Sequence, residues 1–99
     1  LTTRGQLVRQ AKDLGLPAVQ RFFALDSQGV AGIHEQLQNT RPDLMEIMPG
    51  IVGKVLAAFA QTDIPVIAGG LIETKAEITT ALSSGAVAVS TGKKELWYV

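Results

Sequence analysis

The sequence predicts an α/β chain built from consecutive parallel βα units. Three observations carry that prediction. Four short apolar runs, near residues 18–25, 44–48, 66–68 and 86–90, are rich in β-branched or aromatic residues and are bounded by turn chemistry. The segments between them repeat apolar residues at helical spacing, as in Val30, Ile33 and Leu37 and again in Val52, Val55, Leu56 and Phe59. The runs start 26, 22 and 20 residues apart, enough for a strand, a crossover helix and two short loops. No leucine or asparagine position recurs between the units, which sets a leucine-rich solenoid aside.

Each element has its own signals. A first helix is expected to open at Thr3-Arg4-Gly5-Gln6, which reads as a capping box, and to stop at Leu14-Gly15. Strand one follows over residues 18–25, and Asp26-Ser27 reads as the N-cap of the next helix. Thr40-Arg41-Pro42-Asp43 turns that helix into strand two, and Thr62-Asp63-Ile64-Pro65 leads into strand three. Thr74-Lys75-Ala76-Glu77 is a second capping box, in which hydroxyl and carboxylate reciprocally satisfy exposed backbone donors. Ser84-Gly85 ends its helix directly before strand four, where Ala86-Val87-Ala88-Val89 is continuously apolar. Right-handed crossovers between such strands are expected to bury both sheet faces.

Composition excludes several classes of function. The 99 residues are 46% hydrophobic and 18% charged, so a packed core is expected rather than a disordered chain. Nine basic and nine acidic side chains cancel, leaving no global field toward nucleic acid or anionic lipid, and any such binding must be local. Without cysteine there is no disulfide or thiolate zinc site, and a single histidine rules out a His-rich metal centre. No metal or cofactor is expected, and a reducing compartment fits. Apolar runs fall far short of the roughly 20 residues a membrane span needs. The start, Leu1-Thr2-Thr3-Arg4-Gly5, has neither an initiator methionine nor a targeting pattern, so residues 1–99 read as one domain or as a half-barrel fragment of something longer.

Four βα units could form half of an eight-stranded barrel or a small open sheet, and in both architectures ligands bind at the carboxyl ends of the strands. The third strand ends in Gly69-Gly70-Leu71, the fourth in Ser90-Thr91-Gly92-Lys93. Glycine lets backbone N–H groups approach a ligand, and hydroxyls with a helix N-terminus add donors and partial positive charge. Gly69, Gly70, Ser90, Thr91, Gly92 and Lys93 together describe a phosphate cradle, which in barrels recurs after strands seven and eight. Without a ligand the glycine pair would be a tight turn and the lysines solvated.

Strand one also places Gln20 and Arg21 in a run expected to be covered, and a covered arginine needs a partner. Glu46 on strand two can supply it. The pair is either a structural ion pair or, with Gln20, a binding site for ligand hydroxyls or phosphate. In an enzyme Glu46 would be the candidate base. His34, among Val30, Ile33 and Leu37, reads as a packing histidine, and Trp97 and Tyr98 as aromatics sealing a core edge.

Several of these segments resemble the glycerol-3-phosphate-responsive antiterminator family. They are Gln20-Arg21-Phe22-Phe23 with Asp26-Ser27, Pro42-Asp43 with Glu46-Ile47-Met48-Pro49-Gly50, and Pro65-Val66-Ile67-Ala68-Gly69-Gly70-Leu71-Ile72. Gly85-Ala86-Val87-Ala88-Val89-Ser90-Thr91 and Lys94-Glu95-Leu96-Trp97 complete the likeness. It covers the whole chain but only about the second half of the family's pattern. The resemblance implies the C-terminal half of a TIM-type (β/α)8 barrel in a cytoplasmic regulator that binds glycerol-3-phosphate and acts on leader mRNA of glycerol-uptake genes, without catalysis. It places the phosphate cradle on Gly69, Gly70, Ser90 and Thr91. Gly92 stands where the family often has a small polar residue, which leaves its backbone N–H. RNA binding rests on the resemblance alone, since Arg4, Arg9, Lys12, Arg41, Lys54 and Lys75 are scattered. The competing expectation is a phosphosugar isomerase, lyase or aldolase with Glu46 as base, although no strand ends in lysine or histidine. A half barrel leaves two open edges, so a homo-oligomer or dependence on a missing N-terminal half is expected.

Overall fold

The computed structural model describes residues 1–24, 26–50 and 53–92. Four helices and four strands alternate: α1 (Gly5–Asp13), β1 (Val19–Phe23), α2 (Ser27–Thr40), β2 (Leu44–Met48), α3 (Gly53–Ala60), β3 (Val66–Gly69), α4 (Lys75–Ser83) and β4 (Ala88–Ser90). The sheet order is β1-β2-β3-β4 and every pairing is parallel. Thr2 adds a parallel bridge to Gln20 on the other side of β1, so α1 is itself a crossover. A sequential order has no reversal point, and right-handed crossovers then place every helix on the same face. That is the wall of a barrel, and the chain forms half of a TIM-type one.

The helix-covered face holds the core. Gln20 and Phe22, Met45 and Ile47, and Val66 and Ala68 alternate onto that face and are buried. Ile33 and Leu37 of α2 and Leu56 and Phe59 of α3 pack against them. Burying side chains of this size contributes about 1.5–3 kcal/mol each. His34 stacks on Phe59 with ring centroids 4.5 Å apart, so it is a packing residue as expected.

Local stops and starts follow their chemistry. Asp26 Oδ1 accepts from the Gly29 backbone N–H at 2.7 Å, the expected cap of α2. At α4 the Thr74 hydroxyl accepts from Glu77 N–H at 3.2 Å, and Glu77 Oε1 accepts from Thr74 N–H at 3.0 Å. Gly15 and Gly85 take positive φ after α1 and α4, as helix ends require.

Three expectations are corrected. The box at Thr3 does not form: α1 is preceded by Arg4 with no side-chain cap, and the nearby hydroxyl bond runs from Arg4 N–H to Thr2 Oγ1 at 3.0 Å. Strands one and four are shorter than residues 18–25 and 86–90, ending and starting where parallel pairing allows. Only one sheet face is covered by helices, and on the other Glu46 and Gly69 are buried by their own neighbours. Beside them Arg21 and Ile67 are half-buried and Phe23, Ala88 and Ser90 are exposed, because no layer packs there.

Candidate functional site

The uncovered face and the strand ends together make a cleft of about 550 Å³. Its floor comes from the sheet. Parallel pairing aligns Arg21 with Glu46, and Glu46 with Ile67, so their side chains share the inner face. Arg21 Nε donates to Glu46 Oε1 at 2.5 Å, and the Glu46 side chain is only 6% exposed against 33% for Arg21. A carboxylate buried so far is held by its cation, and removing either partner would leave an uncompensated charge.

The rim comes from two loops. Gly70, Leu71, Ile72 and Glu73 follow β3, and Ser90, Thr91 and Gly92 close β4. Thr91 Oγ1 donates to the Ile72 carbonyl at 2.6 Å, which ties the loops together. Gly70 has φ +80, a conformation that favours glycine, and a Cβ there would press on the flexible end of Met48 at 2.8 Å from Cε. Leu71 also takes a positive φ of 59, a conformation that strains a residue with a Cβ by about 1–2 kcal/mol. The Ser90 hydroxyl has no hydrogen-bond partner among the described residues.

The sequence-predicted residues divide accordingly. Arg21, Glu46, Gly70, Ser90, Thr91 and Gly92 are brought to one cleft. Gly69 stands behind it in a different role from the one expected: a Cβ at Gly69 would lie 2.9 Å from Glu46 Cδ and 3.1 Å from Oε2. Its bareness makes room for the carboxylate. Gln20 does not belong to the site. One residue from Arg21 on a strand, it points to the opposite face, is fully buried, and accepts from Thr40 Oγ1 at 2.7 Å. Lys93, the short helix expected after strand four, and Trp97 and Tyr98 lie outside the described residues.

Sequence reasoning missed Met48, Ile72 and Glu73 as parts of the wall. Met48 was within reach, since it follows Glu46 by two and therefore shares its face. Glu73 was hidden by its neighbours' capping role: Glu77 Oε1 accepts from Glu73 N–H at 2.9 Å as part of the α4 start. The amides of Glu73, Thr74 and Glu77 are thus engaged by the cap of α4. What remains for an anion is backbone N–H in the two rim loops, the Ser90 hydroxyl, and the Arg21 Nη groups, for which no partner is found among the described residues. Glu46 and Glu73 supply acceptors beside them. Such a mixture suits a small polar ligand that carries both acceptors and donors. No cluster of three metal-ligating side chains occurs among the described residues, and no described helix is long and apolar enough to cross a membrane.

Comparison with known proteins shows the family and the fold. A family model described as "Glycerol-3-phosphate responsive antiterminator" matches residues 1–97. The Escherichia coli (strain K12) protein YgcP, itself uncharacterized, is 32% identical over 98 residues, which is 98% of this chain and 51% of that protein. The crystal structure of a glycerol uptake operon antiterminator regulatory protein from Listeria monocytogenes superposes with a TM-score of 0.93 at 40% identity, over 98% of this chain and 53% of that one. A glycerol uptake operon antiterminator-related protein from Thermotoga maritima gives 0.87 at 38% identity, over 98% and 55%. The YdjI aldolase of Escherichia coli gives 0.69 at 21% identity, over 95% and 38%, a likeness of fold alone. The chain spans about half the length of the relatives it matches.

Proposed function

This chain belongs to the glycerol-3-phosphate responsive antiterminator family, and from that premise we propose that it is part of a non-catalytic sensor of glycerol-3-phosphate that acts on leader mRNA of glycerol-uptake genes in the cytoplasm. The observation that carries the reading is the pair of rim loops after β3 and β4, joined by the Thr91–Ile72 bond and lining one cleft. The phosphate is held by N–H groups of residues 70–72 and 90–92 and by the Ser90 hydroxyl. Ligand contacts that differ between two states of the regulator shift its affinity for RNA.

Glu46, which a phosphosugar enzyme would use as its base, has one oxygen engaged by Arg21. That arrangement favours binding over proton abstraction. The inner sheet face, with exposed Phe23 and half-buried Ile67, and the β4 edge, unpaired among the described residues, call for a cover, so the proposal includes a homo-oligomer or a larger chain. A monomer of the 99-residue chain at micromolar concentration in sedimentation would contradict that part.

Calorimetric titration tests the ligand. Glycerol-3-phosphate is expected to bind and plain glycerol to bind at least a hundredfold more weakly. Gly70→Val, which puts a β-branched side chain at a φ of +80 and so distorts the rim loop, should abolish binding. Equal affinity for the two ligands, or an unaffected Gly70→Val, would overturn the cradle, and turnover of a phosphosugar would establish the enzyme instead.

A further inference from the structure

We propose that Arg21 is the cationic partner of the phosphate in this cleft and that Glu46 is its positioning residue, holding the guanidinium by Nε so that both Nη groups stay free for the anion. This rests on the phosphate reading above and adds a charged donor to the backbone and hydroxyl donors named there.

Geometry puts the ion pair at the rim. Register makes Gly69 the neighbour of Ser90 at the end of the sheet. A Cβ on Gly69 would lie 2.9 Å from Glu46 Cδ and 3.1 Å from Oε2, so the carboxylate leans up from its own level, beside Ile67, to the end of β3. Arg21 Nε donates to the other oxygen, Oε1, at 2.5 Å. The guanidinium therefore stands one carboxylate's width from the end of β3, and Arg21 lines the same cleft as Gly70, Ser90 and Gly92.

Exposure and charge then decide which member of the pair an anion meets. The Glu46 side chain is 6% exposed and that of Arg21 33%, so the cation is the accessible partner. Arg21 is also the one basic side chain among the described residues that line the cleft, whereas Glu46 and Glu73 are both acidic. A phosphate dianion set beside two carboxylates needs that cation. Arginine presents five N–H donors in a rigid fork. Glu46 takes the one on Nε, and no acceptor among the described residues engages either Nη. That free end of the fork matches two phosphate oxygens. Fixing the fork before the ligand arrives also spares the ordering of a long side chain on binding. The buried carboxylate thus acts on the ligand through the arginine it holds.

The test titrates the full chain with glycerol-3-phosphate beside Glu46→Gln, Glu46→Ala and the neutral double variant Arg21→Gln with Glu46→Gln, with thermal melts to check folding. Glutamine still offers an amide oxygen to Nε, so Glu46→Gln should bind within about threefold of the native protein, whereas Glu46→Ala lets the fork swing and should bind about tenfold more weakly. The double variant leaves no uncompensated charge and should lose about thirtyfold or more. Side-chain nitrogen–proton spectra give a reading that a purely structural pair would not move and that needs no variant. The Arg21 Nη signals of the native protein should shift when inorganic phosphate or glycerol-3-phosphate is added and stay put with plain glycerol. The proposal is overturned if the double variant binds like the native protein, if Glu46→Ala binds as tightly as Glu46→Gln, or if the Nη signals stay still while the rim amides respond. In that last case the phosphate reading stands and the role of Arg21 alone falls, whereas binding of no phosphate compound defeats both.

Discussion

The two faces of the sheet are made by alternate residues of the same strands, and neighbours in the chain meet opposite environments. Gln20 turns toward the helices, where Thr40 donates to its carbonyl oxygen in a fully buried setting. Arg21 turns inward, where it holds Glu46 beneath an open cleft. The helix side spends its residues on apolar contact, with Met45, Ile47, Leu56 and Phe59 closed from solvent. The inner side keeps charge, hydroxyl and bare backbone. The packed core and the proposed cleft are thus placed on opposite sides of the sheet by the two-residue period of the strand.

The largest break in that separation should come from the core. Phe59→Ala empties a closed site under the sheet and is expected to cost about 3–5 kcal/mol in urea unfolding, with ligand affinity of the folded fraction unchanged. Thr40→Val keeps the shape but strips the donor from Gln20, whose Nε2 already lacks a partner among the described residues. It should cost about 1–3 kcal/mol and again leave binding alone. Ser90→Ala inverts the pattern: stability should move by less than about 0.5 kcal/mol, while glycerol-3-phosphate binds about tenfold more weakly. A stability loss at Ser90, or an affinity loss at Thr40, would show that the two faces are not independent.

The smallest effect concerns the opposite end of the sheet. Arg41 donates to Asp63 at 3.0 Å on the surface, and this hydrogen bond, reinforced by the charge, holds the Asp63 carboxyl below its ordinary value of 3.8. A carboxyl depressed by folding contributes stability above its unfolded value and loses it as the pH falls through the folded one. Asp63→Asn should therefore match the native melting temperature in acid below that range and fall slightly beneath it at neutral pH, a small difference because both groups are exposed. A larger difference in acid than at neutrality would contradict the assignment.

Much of this was legible beforehand, and the exceptions have physical reasons. Strand two, Leu44–Met48, and the Thr74 box follow from local chemistry, because their signals lie within a few residues of one another. The false box at Thr3 shows the limit of such signals: where the first backbone donors point depends on Thr2, which is bridged to β1. Gln20 was misassigned by polarity when its parity with Arg21 already set it on the other face. The role of Gly69 was not legible at all. Its missing side chain matters only against Glu46 from another strand, and that contact exists in the folded register alone.

The central claim is that an anionic ligand is held by backbone at the ends of β3 and β4. Amide nitrogen–proton spectra recorded while glycerol-3-phosphate is added test it most directly. The largest shifts are expected at Gly70, Leu71, Ile72, Thr91 and Gly92, with the amides of α1 and α2 unmoved. Shifts centred instead on the cleft between the starts of α2 and α3, around Ser27 and Lys54, would contradict the account.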